Sequence, residues 1–181
     1  MENNEYLVAN KDKLTLFTIG YSNHSISNFI ALLKNNNISC VVDVRSTPYS
    51  KYYKSFDKEN LLSELSINKI DYIWMGETLG GRRNDLKTSM GFRQDEKYDT
   101  DIRYNEALLE LMYVAISKPT VLMCSEEDPR RCHRHKIIAH SLLHKNFDST
   151  SIDNIHIIHI RASGKLENAS LIETYFQPSL F

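Results

Sequence analysis

A disulfide framework, a basic surplus and a long apolar run are all missing from this sequence, and each absence narrows what the chain can be. Its three cysteines, Cys40, Cys124 and Cys132, are odd in number and sparsely placed. That pattern fits a reducing compartment rather than a set of structural bridges. Lys plus Arg total 22 against 23 Asp plus Glu, for a net charge of -1. Gripping long nucleic acid without regard to sequence takes a surplus of cations to displace counterions, so any such grip must come from a local patch. No apolar stretch approaches the ~20 residues that span a bilayer, and no membrane partner is expected. The opening MENNEYLVANKDKL is polar and lacks the apolar segment of a secretory signal. The expected location is the cytoplasm. Internal repeats and low-complexity linkers are also missing from the 181 residues, whose 41% hydrophobic and 25% charged content suits one globular domain with a sizeable core.

What is present is alternation. After a polar leader, 1–13, Leu14 to Ile19 reads as a short apolar strand, and Ser25 is placed to cap a helix with Ile26, Phe29, Ile30 and Leu33 on one face. Cys40 to Arg45 is a second strand whose apolar run turns to charge at its end. A helix carrying Leu61, Leu62 and Leu65 follows, with Asp57 as its expected cap. Tyr72 to Met75 is a third strand, Ile102 to Ser117 a long helix, and Val121 to Cys124 a fourth strand. Asp128-Pro129 is an N-cap and N1 pair for a helix to about His144, and Ile155 to Ile160 is the last strand. Strands alternating with amphipathic helices predict a single α/β domain over 14–162. Its expected architecture is Rossmann-like and three-layered, with a mostly parallel sheet of about five strands flanked by helices.

Two connections exceed what packing requires, 46–56 and 76–100, and both follow strand C-termini, where open α/β sheets place ligands. Those ends bring together Ser22 with His24 nearby, Asp43 and Arg45, Glu77 with Gly80-Gly81-Arg82-Arg83, and Cys124 with Glu126. The densest segment is Cys124 to Arg134, CSEEDPRRCHR, at the start of the predicted helix. Acids suit a helix start, but dipole complementation does not explain basic residues crowding its first turns. Cys124 and Arg130 have the C-x5-R spacing of rhodaneses and cysteine phosphatases. Three intervening carboxylates would repel an anion there, and Pro129 removes one donor from the cradle. Cys132 falls on a stripe with Ala139 and Leu143 and is expected to be packed, as is His135. His133, His140 and His144 share the polar stripe. Cys124, Cys132, His133 and His135 lack the ligand spacing of structural zinc sites, so no metal is expected and the cofactor is unknown. Asp43 and Arg45 face one way, either as a structural ion pair or as functional groups. Tyr49, Tyr52, Tyr53 and Phe56 with Lys51 and Lys54 suit stacking on a base as well as burial.

The residues Thr18-Ile-Gly-Tyr-Ser22, Val42-Asp-Val-Arg-Ser46 with Pro48, Glu77-Thr-Leu-Gly-Gly81, Gly91-Phe-Arg93, and Leu122 to Glu126 with Cys132-His-Arg134 stand in a characteristic order. In that ordered set the chain resembles the family called domain of unknown function 488, over about residues 14 to 160. The resemblance implies a compact α/β fold with these motifs in one cleft, and no particular reaction. The family often has histidine where this chain has Tyr21. A C-terminal histidine after a Gly-containing turn is also missing around Gly164, which makes 163–181 a peripheral tail.

The leading expectation is an enzyme, a hydrolase or transferase, acting on a small anionic or nucleotide-like substrate. Arg45, Arg82, Arg93 and Arg134 with Ser22, Glu77, Gly80 and Gly81 would bind it. Glu126 or Asp43 would carry protons, with Cys124 and His133 close by. One alternative is a non-catalytic module that binds a nucleic-acid end or modified base through the loop from Tyr49 to Phe56. Another is cysteine-dependent thiol or sulfur chemistry at Cys124.

Overall fold

The computed structural model describes residues 13–82, 98, 100–144 and 154–171. Its frame is a six-stranded sheet in the order β3-β2-β4-β1-β5-β6. The strands are β1 (Lys13–Gly20), β2 (Cys40–Asp43), β3 (Asp71–Trp74), β4 (Thr120–Cys124), β5 (Asn154–Ile160) and β6 (Leu166–Asn168). The first five run parallel, and β6 adds to β5 antiparallel. Both β2 and β4 are buried along their whole length. Cover on both faces explains why they read as continuous apolar runs rather than as alternating ones.

Helices α1 (Ile26–Asn35) and α2 (Lys58–Ile67) cover one face. There Phe29, Ile30, Leu33, Leu61 and Leu65 pack with Ile19, Val41, Val121, Met123 and Ile160. The other face is covered by α4 (Ile102–Ser117) and by the segment ending in α5 (His140–His144), which packs Tyr104, Leu108, Leu111, Ile138 and Leu142 with Leu16, Val42, Val44, Leu122 and Ile157. A one-turn helix α3 (Gly76–Leu79) follows β3. The result is the three-layer α/β arrangement the alternation predicts. Ser25 caps α1 by accepting from the Asn28 amide, and Asp101 caps α4 through the amides of Arg103 and Tyr104.

Three local expectations change. Asp57 stands at the N-cap of α2, but its carboxylate accepts from the Ser50 amide at 2.6 Å and from Lys54 at 3.2 Å, so it ties down the 46–56 loop instead. The 163–181 stretch, read as a peripheral tail, contributes β6. The turn into it contains Gly164 at φ +83°, a left-handed conformation that costs glycine little.

The single helix expected from Asp128 to about His144 is three pieces: a 3₁₀ turn Pro129–Arg131, a π-helical stretch Arg134–Ala139 and α5. Asp128 caps the first piece through the Arg130 amide, with Pro129 at its start, as the sequence suggests. The widened second piece coincides with Arg134, whose side chain reaches back to the carbonyls of Glu126 and Glu127. A side chain fixed on its own upstream loop is the kind of constraint that displaces a regular 3.6-residue helix.

Candidate active site at the carboxyl edge of the sheet

Side chains alternate across a strand, and at the ends of β2 and β4 that alternation sorts the polar residues into two clusters on opposite faces. Asp43 pairs with Met123 in register and lies on the α1/α2 side, and Arg45 follows it. Val44 and Cys124 lie on the α4/α5 side.

The first cluster is closed. Asp43 and Arg45 are 0% and 4% exposed. Arg45 donates from Nε and Nη2 to both carboxylate oxygens at 2.6–3.0 Å and from Nη1 to the Phe56 carbonyl at 2.8 Å, and its backbone amide donates to Asp43 Oδ1. The Tyr72 hydroxyl donates to Asp43 Oδ2 at 2.8 Å, and Trp74 Nε1 donates to the Arg45 carbonyl at 2.9 Å. Burial, together with the Asp43 carboxylate, holds the Tyr72 hydroxyl far above the ordinary phenol range. Arg45 also lies over the Tyr21 ring at 5.1 Å, and that ring stacks on Phe56 with centroids 4.4 Å apart. The geometry is that of a desolvated, bidentate ion pair with Nη1 also bonded to the backbone.

The second cluster is open in its bonding. Cys124 and Cys132, from β4 and from the junction of the 3₁₀ and π-helical pieces, are buried together at 4% and 1% exposure. His133 Nδ1 stands 3.7 Å from Cys124 Sγ and 3.9 Å from Cys132 Sγ. Its Nε2 is 3.0 Å from the Val44 carbonyl. A carbonyl only accepts, so Nε2 carries the proton and Nδ1 presents a lone pair to the two sulfurs. Gly81 lies against the other side of this ring: a Cβ there would sit 2.7 Å from His133 Cγ. Cys124 Sγ also lies 3.3 Å from Glu126 Oε2, exposed at the rim, so its one S–H serves either Glu126 or Cys132. Burial alone would raise the Cys132 thiol. The hydrogen bond from Cys124 and the positive charge of Arg134 outweigh it and bring Cys132 well below the ordinary range, and His133 adds to this when it is an imidazolium with Nδ1 protonated as well. Its hydrogen bond with Cys132, then burial and the neighbouring negative charge, push Cys124 up.

A third set of polar residues lies behind this cluster. Arg134, fully buried, donates from Nε to Thr18 Oγ1 at 3.2 Å and from its two terminal nitrogens to the Glu126 and Glu127 carbonyls. Thr18 Oγ1 is 2.7 Å from His159 Nδ1, and His159 Nε2 is 3.1 Å from His135 Nδ1. Thr18 Oγ1 thus accepts from Arg134 and links it to the two imidazoles, whose chain ends at His135, where Nε2 is buried without a partner among the described residues. Burial and the neighbouring positive groups push His159 down to about 3. Glu127 then anchors the loop at its far side by accepting from Arg161 Nε and Nη2 at 3.0 and 2.9 Å.

Of the residues expected at the site, Cys124, Glu126 and His133 come together, joined by Cys132, which the helical stripe had assigned to packing alone. Ser22 lies beside them, its amide bonded to the Ser125 carbonyl. Asp43 and Arg45 lie on the other face of the sheet, and Arg134 bridges backbone behind the cluster. Glu77 and Arg82 are exposed, the latter with its amide on Ser46 Oγ. Gly80 and Gly81 pack against Ser46 and His133. Arg93 lies outside the described residues. Sequence reasoning missed Thr18, His135 and His159 as one buried chain. The signal was a histidine inside the otherwise apolar Ile157-Ile158-His159-Ile160.

Fold and site together define a doubly wound α/β protein with a cysteine–histidine cluster at the carboxyl edge of its parallel strands, where such sheets present their ligand sites. The chain belongs to the family described as Domain of unknown function DUF488, whose model matches residues 25–141. No curated protein and no solved structure matches it.

Proposed function

We propose that the protein is an enzyme whose reactive centre is the Cys124–Cys132–His133 cluster, doing thiol-dependent chemistry on a small substrate, with Glu126 as the proton carrier. The observation that carries this reading is the fixed imidazole. Its Nε2–H is held by the Val44 carbonyl, and its Nδ1 lone pair points at two sulfurs 3.7 and 3.9 Å away. A nucleophile, a base within reach and a third group that orients the base form the general arrangement of an activated thiol. Arg45 and Arg134 are tied into the framework, so the anion clamp expected from the sequence loses two of its members. An anionic group on the substrate would meet Arg82 at the rim.

The test is differential alkylation of reduced, metal-free, folded protein, read by peptide mass spectrometry. Cys124 or Cys132 is expected to react with iodoacetamide at least about tenfold faster than Cys40, whose thiol burial pushes up to about 11. His133→Gln should remove most of that difference. If both cluster thiols are as slow as Cys40, the reading falls.

The exposed loop supports a second reading, a module that binds a nucleic-acid end. Tyr49, Tyr52 and Tyr53 are 52%, 79% and 41% exposed, and Lys51 lies over the Tyr52 ring at 5.4 Å. Stacking aromatics beside a cation are the elements of a single-strand platform. Polarisation with short single strands at two salt concentrations decides it: binding that Tyr52→Ala leaves unchanged, or no binding at low salt, excludes this loop.

A further inference from the structure

We propose that Cys124 Sγ, Cys132 Sγ and His133 Nδ1 bind one divalent metal ion of the zinc class, with a fourth position open beside Glu126. This rests on the same cluster as the functional reading and names the cofactor it would take. The three donor atoms all lie within 4.8 Å of one another. In a tetrahedral site with sulfur at about 2.3 Å and nitrogen at about 2.0 Å from the ion, the sulfur–nitrogen edges are about 3.6 Å. The two observed edges are 3.7 and 3.9 Å. Both sulfur–nitrogen edges are therefore close to coordination length.

Three further features fit an ion rather than a plain thiol pair. The histidine tautomer is the one a ligand needs, with Nδ1 free and Nε2–H on a backbone carbonyl, the outer contact that orients most metal-bound imidazoles. Two sulfurs and one imidazole nitrogen are a borderline-soft set that selects zinc-class ions over magnesium or calcium. The exposed carboxylate of Glu126, 3.3 Å from Cys124 Sγ, lies beside the cluster on its solvent side. Two thiols and a nitrogen with one position left over is the composition of catalytic rather than closed structural zinc sites. Sequence spacing argued against a site because Cys124 and Cys132 are eight apart. The 3₁₀ turn and the widened helix after it fold Cys132 and His133 back onto the end of β4.

The experiment is a titration of the reduced, metal-free full chain with cobalt(II), followed by zinc displacement. Expected is one equivalent bound, with intense visible bands of tetrahedral cobalt and a near-ultraviolet sulfur-to-metal charge-transfer band. Cys124→Ser and Cys132→Ser should each lose about half of that band, as one of two thiolates is removed. Cys40→Ala should keep it, and Glu126→Gln should still bind the ion. The inference is overturned if the folded wild type shows no sulfur charge-transfer band, or if the band survives in the Cys124→Ser/Cys132→Ser double variant. The wild-type spectrum decides the matter even if a variant fails to fold. No cobalt band together with fast, His133-dependent alkylation leaves the thiol centre standing without the metal. A cobalt band together with alkylation as slow as that of Cys40 leaves a metal site and removes the thiol reading.

Discussion

The two polar clusters at the ends of β2 and β4 differ in what they are built from. On the α1/α2 face, Asp43, Arg45, Tyr72 and Trp74 bond to one another at 2.6–3.0 Å. On the α4/α5 face Cys124, Cys132, His133 and Glu126 meet at 3.3 to 3.9 Å, ordinary lengths for contacts to sulfur, with one ring nitrogen facing both thiols. Residue chemistry separates the two faces: one holds a charged pair bonded through both carboxylate oxygens, the other two thiols and an imidazole, groups that a soft ion or an electrophile can engage.

The largest expected effect lies on the closed side. Asp43→Ala removes one partner of a desolvated pair and strands the Arg45 guanidinium, so urea unfolding should show a loss of about 3–5 kcal/mol. A loss below about 1 kcal/mol would mean that Arg45 is free to act on ligands, and the contrast between the faces would collapse.

The buried His159 comes next. Folded, it stays neutral down to about 3, while in the unfolded chain it takes a proton near 6.5. Between those values the unfolded state binds more protons. Stability should therefore fall as the pH drops below 6.5, by up to about 1.4 kcal/mol per pH unit for this group. His159→Asn should flatten that acid limb of the stability curve.

Effects on the open side should be small in stability and large in reactivity. His133→Gln in the metal-free protein should cost about 1 kcal/mol, the worth of one hydrogen bond, while thiol alkylation slows sharply. Gly81→Ala, which pushes a methyl group onto the His133 ring, should weaken cobalt binding about tenfold by turning the ligand. The smallest stability change is expected for exposed Glu126→Gln, within about 0.5 kcal/mol in thermal unfolding. A large loss there would make Glu126 part of the framework.

Most of the fold was legible because apolar runs and caps act locally. The long helix Ile102–Ser117 matches its expected bounds, and each of the five parallel strands lies within a residue or two of its apolar run. The sixth strand, Leu-Glu-Asn, carries no pattern and exists only because β5 offers an edge. The site was legible as a place and not as an arrangement. Cys124, Glu126 and His133 were picked out, but a helical wheel drawn from Asp128 put His133 on a polar stripe and left Cys132 to the core. The polar-stripe reading of His133 assumes 3.6 residues per turn through a segment that is π-helical from Arg134 to Ala139, whereas the core placement of Cys132 holds, at 1% exposure. The same local view put Arg45 and Glu126 in one cleft. The strand parity of Asp43 and Cys124 puts those two side chains on opposite faces of the sheet, and parity only matters once the register of β2 against β4 is known.

The strand order has a consequence for how the chain is made. β4 sits between β1 and β2, yet it leaves the ribosome after both, by about a hundred residues in the case of β1. Until Thr120–Cys124 emerges, β1 has neither of its neighbours, since β5 is made later still, and β2 can pair only with β3. Placing β4 between them this late demands long-range pairing, which is slow. The residues of β4 are followed at once by Cys132 and His133. Cys124, Cys132 and His133 are therefore all made before β5 and β6, and they reach one another only once the turn after β4 has folded back onto its end.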